Sequence, residues 1–180
     1  MKFVPLALLV CSAVALSFGF VSSAKADPLK VGDPAPLVSG ITEKGTSLNL
    51  GDVYKQQTYT LVYFYPKAGT KGCTAQGCSL RDAYEKLQAK GVAVIGVSTD
   101  TVEAQEAFKD KQHFPFTLIA DPNKSVIGAF GVPTRKIPTM GEIASRQAYL
   151  IKDGKIIYTD YKGTTDTQAD KILKVIADQG

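Results

Sequence analysis

Tryptophan is absent from the 180 residues, histidine occurs once, and cysteine only three times. The single His113 has no companions at metal-ligand spacing, so it is expected at a helix end, and no metal or cofactor is called for. No apolar run after the N-terminal segment is long enough to span a bilayer. The formal charge of +4 is scattered along the chain and forms no basic block, which leaves no electrostatic footprint for nucleic acid. Internal repeats and low-complexity linkers are missing as well. What remains, 44% hydrophobic and 21% charged residues, is the composition of one domain with one sizeable core.

The one long apolar run opens the chain. Lys2 supplies a short positive region, residues 4–21 are almost uninterruptedly apolar and small, and Ala24-Lys25-Ala26 gives the A-x-A pattern of a signal-peptidase site. Residues 1–26 are therefore expected to be a cleaved export signal, and residues 27–180 a mature domain starting at Asp27. A retained membrane anchor is the competing reading. Lipoprotein attachment at Cys11 is disfavoured by the bulky Val10 before it. Cleavage would take Lys2 and Lys25 with it, lowering the formal charge from +4 to +2. The expected location is a periplasm, or a thylakoid lumen if the source has one, with no membrane contact after cleavage. Cys11 would go too, leaving Cys73 and Cys78. Two nearby cysteines in an exported protein suggest a structural disulfide. Closing so short a loop restrains the unfolded chain little, so chemistry is the better reason for the pair.

Downstream, hydrophobic periods of two and of 3.6 residues alternate. Residues 37–50 read as a hairpin around Glu43-Lys44-Gly45, and 58–65 as a strand buried on both faces, stopped by Pro66. Leu80, Ala83, Tyr84 and Leu87 share a helix face, and Gly91 ends that helix. Residues 92–97 form a second buried strand. Asp100 with Glu103 resembles a capping box for a helix over 101–111. A third strand follows at 116–120, a short helix at 124–130, and a hairpin of 147–151 with 155–159 across Asp153-Gly154. A helix over 167–177 closes the chain, and 134–144 reads as a loop that could cover the site. The order predicts an α/β, thioredoxin-like fold: a central mixed β-sheet flanked by helices, with an N-terminal hairpin.

The chemistry concentrates in residues 63–78. Cys73 falls in the first turn of a helix that follows a buried strand, where unpaired N–H groups and the helix dipole favour a thiolate, the nucleophilic form. Thr70, three residues earlier, can bring a hydroxyl beside the sulfur. Pro66 can stiffen the loop and shield it from water. Tyr63, Phe64 and Tyr65 are expected in the core and the pocket wall.

Pro66-x-x-x-Thr70-x-x-Cys73 resembles the peroxiredoxin active-site motif, and the wider segment resembles the peroxiredoxin Q or bacterioferritin comigratory protein branch. The likeness extends from about Val31 to Tyr161 and includes Gly96-Val97-Ser98-Thr99-Asp100, Gly131-Val132-Pro133 and Ser145-Arg146-Gln147. Ala68 and Gly69 depart from it, standing where acidic residues are common. The resemblance implies a peroxidatic Cys73, a resolving Cys78 and an Arg146 that approaches the sulfur. It also implies a peroxide substrate, a sulfenic acid resolved as an intrachain disulfide, a thioredoxin-like reductant and a monomer. On an intact helix, residues five apart have α-carbons about 8.7 Å apart, whereas a disulfide needs under about 7 Å. Joining Cys73 to Cys78 is thus expected to unwind the helix, with Gly77 easing it. Two other classes compete on this fold. A thiol–disulfide oxidoreductase usually has two residues between its cysteines, not four. A copper-delivery protein needs a closer pair and a placed histidine.

Overall fold

The computed structural model describes residues 27–179; the expected signal at 1–26 and its cleavage point lie outside the described residues. The first hairpin is β1 (Ser39–Thr42) with β2 (Ser47–Asn49), turning at the expected Glu43-Lys44-Gly45. A helix not anticipated from the sequence, α1 (Leu50–Gln56), follows, opened by Asn49, whose side chain accepts the Gly51 N–H. At seven residues it is too short to display a helical period.

Strand β3 (Tyr59–Phe64) has all six residues buried. Its neighbours are β4 (Val92–Ser98), parallel, and β8 (Gln147–Lys152), antiparallel. With β5 (Thr117–Ala120) and β9 (Lys155–Asp160) they complete a seven-stranded mixed sheet of order β2-β1-β5-β4-β3-β8-β9. Burying each large side chain of β3 contributes roughly 1.5–3 kcal/mol, which is why this strand is apolar on both faces rather than alternating. Leu61 and Tyr63 point into a layer built from α2 (Lys71–Asp82), α3 (Tyr84–Ala89), α4 (Val102–Gln112) and α6 (Gln168–Ala177). Val62 and Phe64 pack on the opposite side against α1 and α5 (Ser125–Ala129).

Three expectations need correction. The single helix expected to run up to Gly91 is divided at Ala83, whose φ of −100° and ψ of 8° end α2 before α3 begins. Periodicity misses such a break because Leu80 and Leu87 remain on one buried face. Asp100 does not cap α4. Thr101 does, accepting the Ala104 N–H, and Asp100 is turned into the interior. Segment 134–144 is not a loop but a small antiparallel ribbon, β6 (Thr134–Ile137) with β7 (Gly141–Ala144), stapled by a hydrogen bond from Thr134 Oγ1 to Glu142. No helix among the described residues is long and apolar enough to cross a membrane.

Candidate active site

The C-terminal end of β3 delivers the chain into Pro66 and a turn that passes through Gly69, with φ of 76°, to Thr70 at the N-cap of α2. Cys73 is the third residue of that helix and is only 1% exposed. Helix geometry leaves the first N–H groups without intrahelical acceptors, so the sulfur lies at the positive end of the peptide dipoles.

Arg146 reaches this sulfur because β8 pairs antiparallel with β3. Gln147 lies opposite Phe64, so the residue before the strand is carried to the end of β3 where the cysteine loop starts. Arg146 Nη2 stands 3.3 Å from Cys73 Sγ. Its other nitrogen, Nη1, donates to Gln76 Oε1 at 2.5 Å, and Gln76 Nε2 donates in turn to Gln168 Oε1 at 3.1 Å. Both glutamines are fully buried. The arginine stem is held in place by Gly163, whose φ is 74°: a Cβ there would come within 2.7 Å of the Arg146 Cβ. Asp160 folds the turn that presents Gly163, accepting hydrogen bonds from the amides of Lys162, Gly163 and Thr164.

Thr70 occupies the N-cap, yet its side chain makes no capping bond; the hydroxyl donates to the Lys67 carbonyl at 3.0 Å. Asp100 enters from the end of β4. Its Oδ2 accepts the Ala68 N–H at 2.7 Å and the Ser98 hydroxyl at 2.8 Å. Its Oδ1 faces Lys67 Nζ at 2.6 Å, a charge pairing without a well-aligned hydrogen bond. Gln105 braces Ser98, and Tyr65 donates to Gln105, so the loop is tied to the sheet from two sides. Burial pushes the Tyr63 and Tyr65 phenols up, which keeps both rings neutral beside the cysteine.

Cys78 is half-buried on the same unbroken helix, with its thiol 3.7 Å from Gln112 Oε1, and both cysteines are free thiols. The structure thus brings Arg146 to Cys73, sets Thr70 at the N-cap of the same helix with Pro66 in the segment leading to it, and places Cys78 farther along the helix. Asp100, Gln76 and Gln168 were missed from the sequence. Gln76 had a signal, since it lies one helical turn after Cys73 on the same face. Asp100 was hidden by its resemblance to a helix cap. His113 is at a helix end as expected, closing α4 with φ of 53°. No cluster of three or more metal-ligating side chains occurs among the described residues.

The chain matches the AhpC/TSA family over residues 31–159. It is 42% identical to peroxiredoxin Bcp of Escherichia coli over 153 residues, 82% of this chain and 95% of that one. It is 38% identical over 151 residues to peroxiredoxin bcp1 of Schizosaccharomyces pombe, covering 83% and 75%. Among solved structures, peroxidoxin BcpB from Mycobacterium tuberculosis superimposes with a TM-score of 0.76 at 27% identity, covering 83% of this chain and 97% of that one. The thioredoxin-like layout agrees with these likenesses: the chain belongs to the AhpC/TSA family, with Bcp and peroxiredoxin Q proteins as its relatives.

Proposed function

We propose that Cys73 is the peroxide-attacking nucleophile of this thiol-dependent peroxidase and that Cys78 resolves the product. The thiolate of Cys73 attacks one peroxide oxygen and the O–O bond breaks. The departing oxygen takes up a proton and leaves as water or an alcohol, and Cys73 becomes a sulfenic acid. The Cys78 thiol then displaces water from that sulfenic acid to form a disulfide. A thioredoxin-like dithiol restores both thiols by exchange and is itself oxidised. Arg146 holds the sulfur as thiolate and stabilises charge on the peroxide, while Pro66 and Thr70 shape the pocket. The observation that carries this reading is the Arg146 guanidinium 3.3 Å from a buried cysteine at a helix N-terminus. Thiol–disulfide exchange and copper delivery have no comparable support, since the matched relatives are peroxiredoxins.

The test is rapid mixing of the reduced protein with one equivalent of hydrogen peroxide. Fast loss of two thiols in the parent, no fast loss in Cys73→Ser, and a trappable sulfenic acid in Cys78→Ser support the cycle. Slow loss at free-thiol rates in all three overturns it. We further propose export with cleavage after Ala26 and action as a monomer. Lys2, the apolar run and the A-x-A site support the export reading. Mass spectrometry of the periplasmic protein, expected to begin at Asp27, and its sedimentation coefficient check both.

A further inference from the structure

We infer that Asp100 is a positioning residue of the peroxidase reaction, acting on Thr70 through the single peptide group that joins Lys67 to Ala68. This rests on the proposed part of Thr70 in the peroxide pocket. The N–H of that peptide belongs to Ala68 and donates to Asp100 Oδ2 at 2.7 Å; its C=O belongs to Lys67 and accepts the Thr70 hydroxyl at 3.0 Å. A planar trans peptide points its N–H and C=O in opposite directions, so fixing one end fixes the other. The Asp100 carboxylate is fully buried, its Oδ2 also accepts the Ser98 hydroxyl at 2.8 Å, and its Oδ1 is balanced by Lys67 Nζ at 2.6 Å. A charged acceptor on the N–H also polarises the carbonyl and strengthens the bond that Thr70 makes to it.

The chemical consequence lies in what Thr70 has left to offer. With its proton committed to Lys67 O, the hydroxyl oxygen presents only lone pairs at the head of α2. It accepts a hydrogen bond and does not give one. A hydroperoxide carries an O–H that such an oxygen can hold and orient; a thiosulfonate has none. Asp100 therefore favours peroxide over sulfur electrophiles that lack a proton, without touching either reactant.

The experiment is a double-mutant cycle of Asp100→Asn with Thr70→Val on the reduced full-length protein, read by rapid-mixing thiol loss. Each variant is measured with hydrogen peroxide and with methyl methanethiosulfonate, which has no O–H. Each single change is expected to slow the peroxide reaction about tenfold, the rate equivalent of one hydrogen bond. The double variant is expected within about twofold of Thr70→Val, because the two residues act as one unit. Thr70→Ser restores the sensitivity to Asp100→Asn, and methanethiosulfonate rates stay within about twofold throughout. Multiplying effects, or equal losses with both reagents, overturn the inference and leave Thr70 in its proposed place. A Thr70→Val protein as fast as the parent removes Thr70 from that place and the inference with it. If Asp100→Asn does not fold, Ser98→Ala, which removes one of the two donors to Oδ2, carries the same cycle.

Discussion

The ring of Phe114 fills the space that a side chain at Gly77 would need: a Cβ on Gly77 would fall 2.3 Å from Phe114 Cζ. Phe114 is itself buried, stacked on Phe116 with ring centroids 5.1 Å apart and edge-on to Phe108 at 5.0 Å. Gly77 therefore sits between the two cysteines for reasons of packing as well as of helix preference. The two reasons make opposite predictions. By helix propensity alone Gly77→Ala would stabilise α2 by about 1 kcal/mol. Overpacking against an immobile ring costs about 1–3 kcal/mol. A net loss of stability is expected, and urea denaturation of the reduced protein measures it. A gain would mean that the aromatic stack yields.

Arg146→Lys keeps the charge and loses the fork. One ammonium cannot meet both Cys73 Sγ and Gln76 Oε1 as the two guanidinium nitrogens do. The rate of the first peroxide step is expected to fall by roughly 10²-fold, the scale of removing one oriented donor from a developing charge. Stopped-flow thiol loss checks this, and a rate within a factor of about three of the parent would place the arginine's contribution elsewhere.

Oxidation is expected to unwind the N-terminal turns of α2, because Cys73 and Cys78 lie five residues apart on a continuous helix. Hydrogen exchange monitored by mass spectrometry would show residues 71–80 protected in the reduced protein and fast after one equivalent of peroxide. Arg146, Gln168 and the Ser79 hydroxyl, which accepts the Ala169 N–H, hold this segment when reduced, so their contacts are the ones given up. Equal exchange in the two states would exclude the intrachain disulfide.

Acid should loosen the turn that supports Arg146. Burial alone would raise the Asp160 carboxyl, but the bonds from Thr164 and Lys162 and the charge of Lys171 outweigh it and hold the group below its ordinary value. A depressed folded value means that the unfolded chain binds the proton more tightly. The stabilisation is complete above the ordinary carboxylate range and is lost as pH falls below about 4 toward the folded value. Thermal midpoints between pH 6 and pH 3 should therefore fall more steeply for the parent than for Asp160→Asn. Parallel curves would show that other carboxylates dominate.

Much of this layout could be read from the chain because its strongest signals are local. Residues 58–65 are so rich in β-branched and aromatic residues that a central strand fits best, and Asp153-Gly154 is a strong signal for a hairpin turn. Pro66, Thr70 and Cys73 lie within eight residues of one another, so their grouping needed no tertiary information. Arg146 was placed by resemblance; the physical reason for its position, the pairing of β8 with β3, appears only in three dimensions. Asp100 and Gln168 could not be found locally, since each acts on a segment more than thirty residues away. The ribbon at 134–144 was missed because Lys136, Glu142 and Gly141 give it little strand character; Glu142 bonding to Thr134 and Lys124 helps to hold it, beside the burial of Ile143 and Ala144.

The interruption at Ala83 gives the proposed cycle a fixed mechanical scale. Helix melting spreads along a continuous rod, because each lost turn weakens the next. Here the rod stops at Asp82, and Leu87, fully buried on α3, belongs to a separate piece. Each turnover would then undo and rebuild a segment of about three turns while the sheet behind it stays still. Helix relaxation takes on the order of 0.1–1 μs, far shorter than typical turnover times. The rhythm of the enzyme is thereby left to peroxide and reductant, not to the refolding of its own chain.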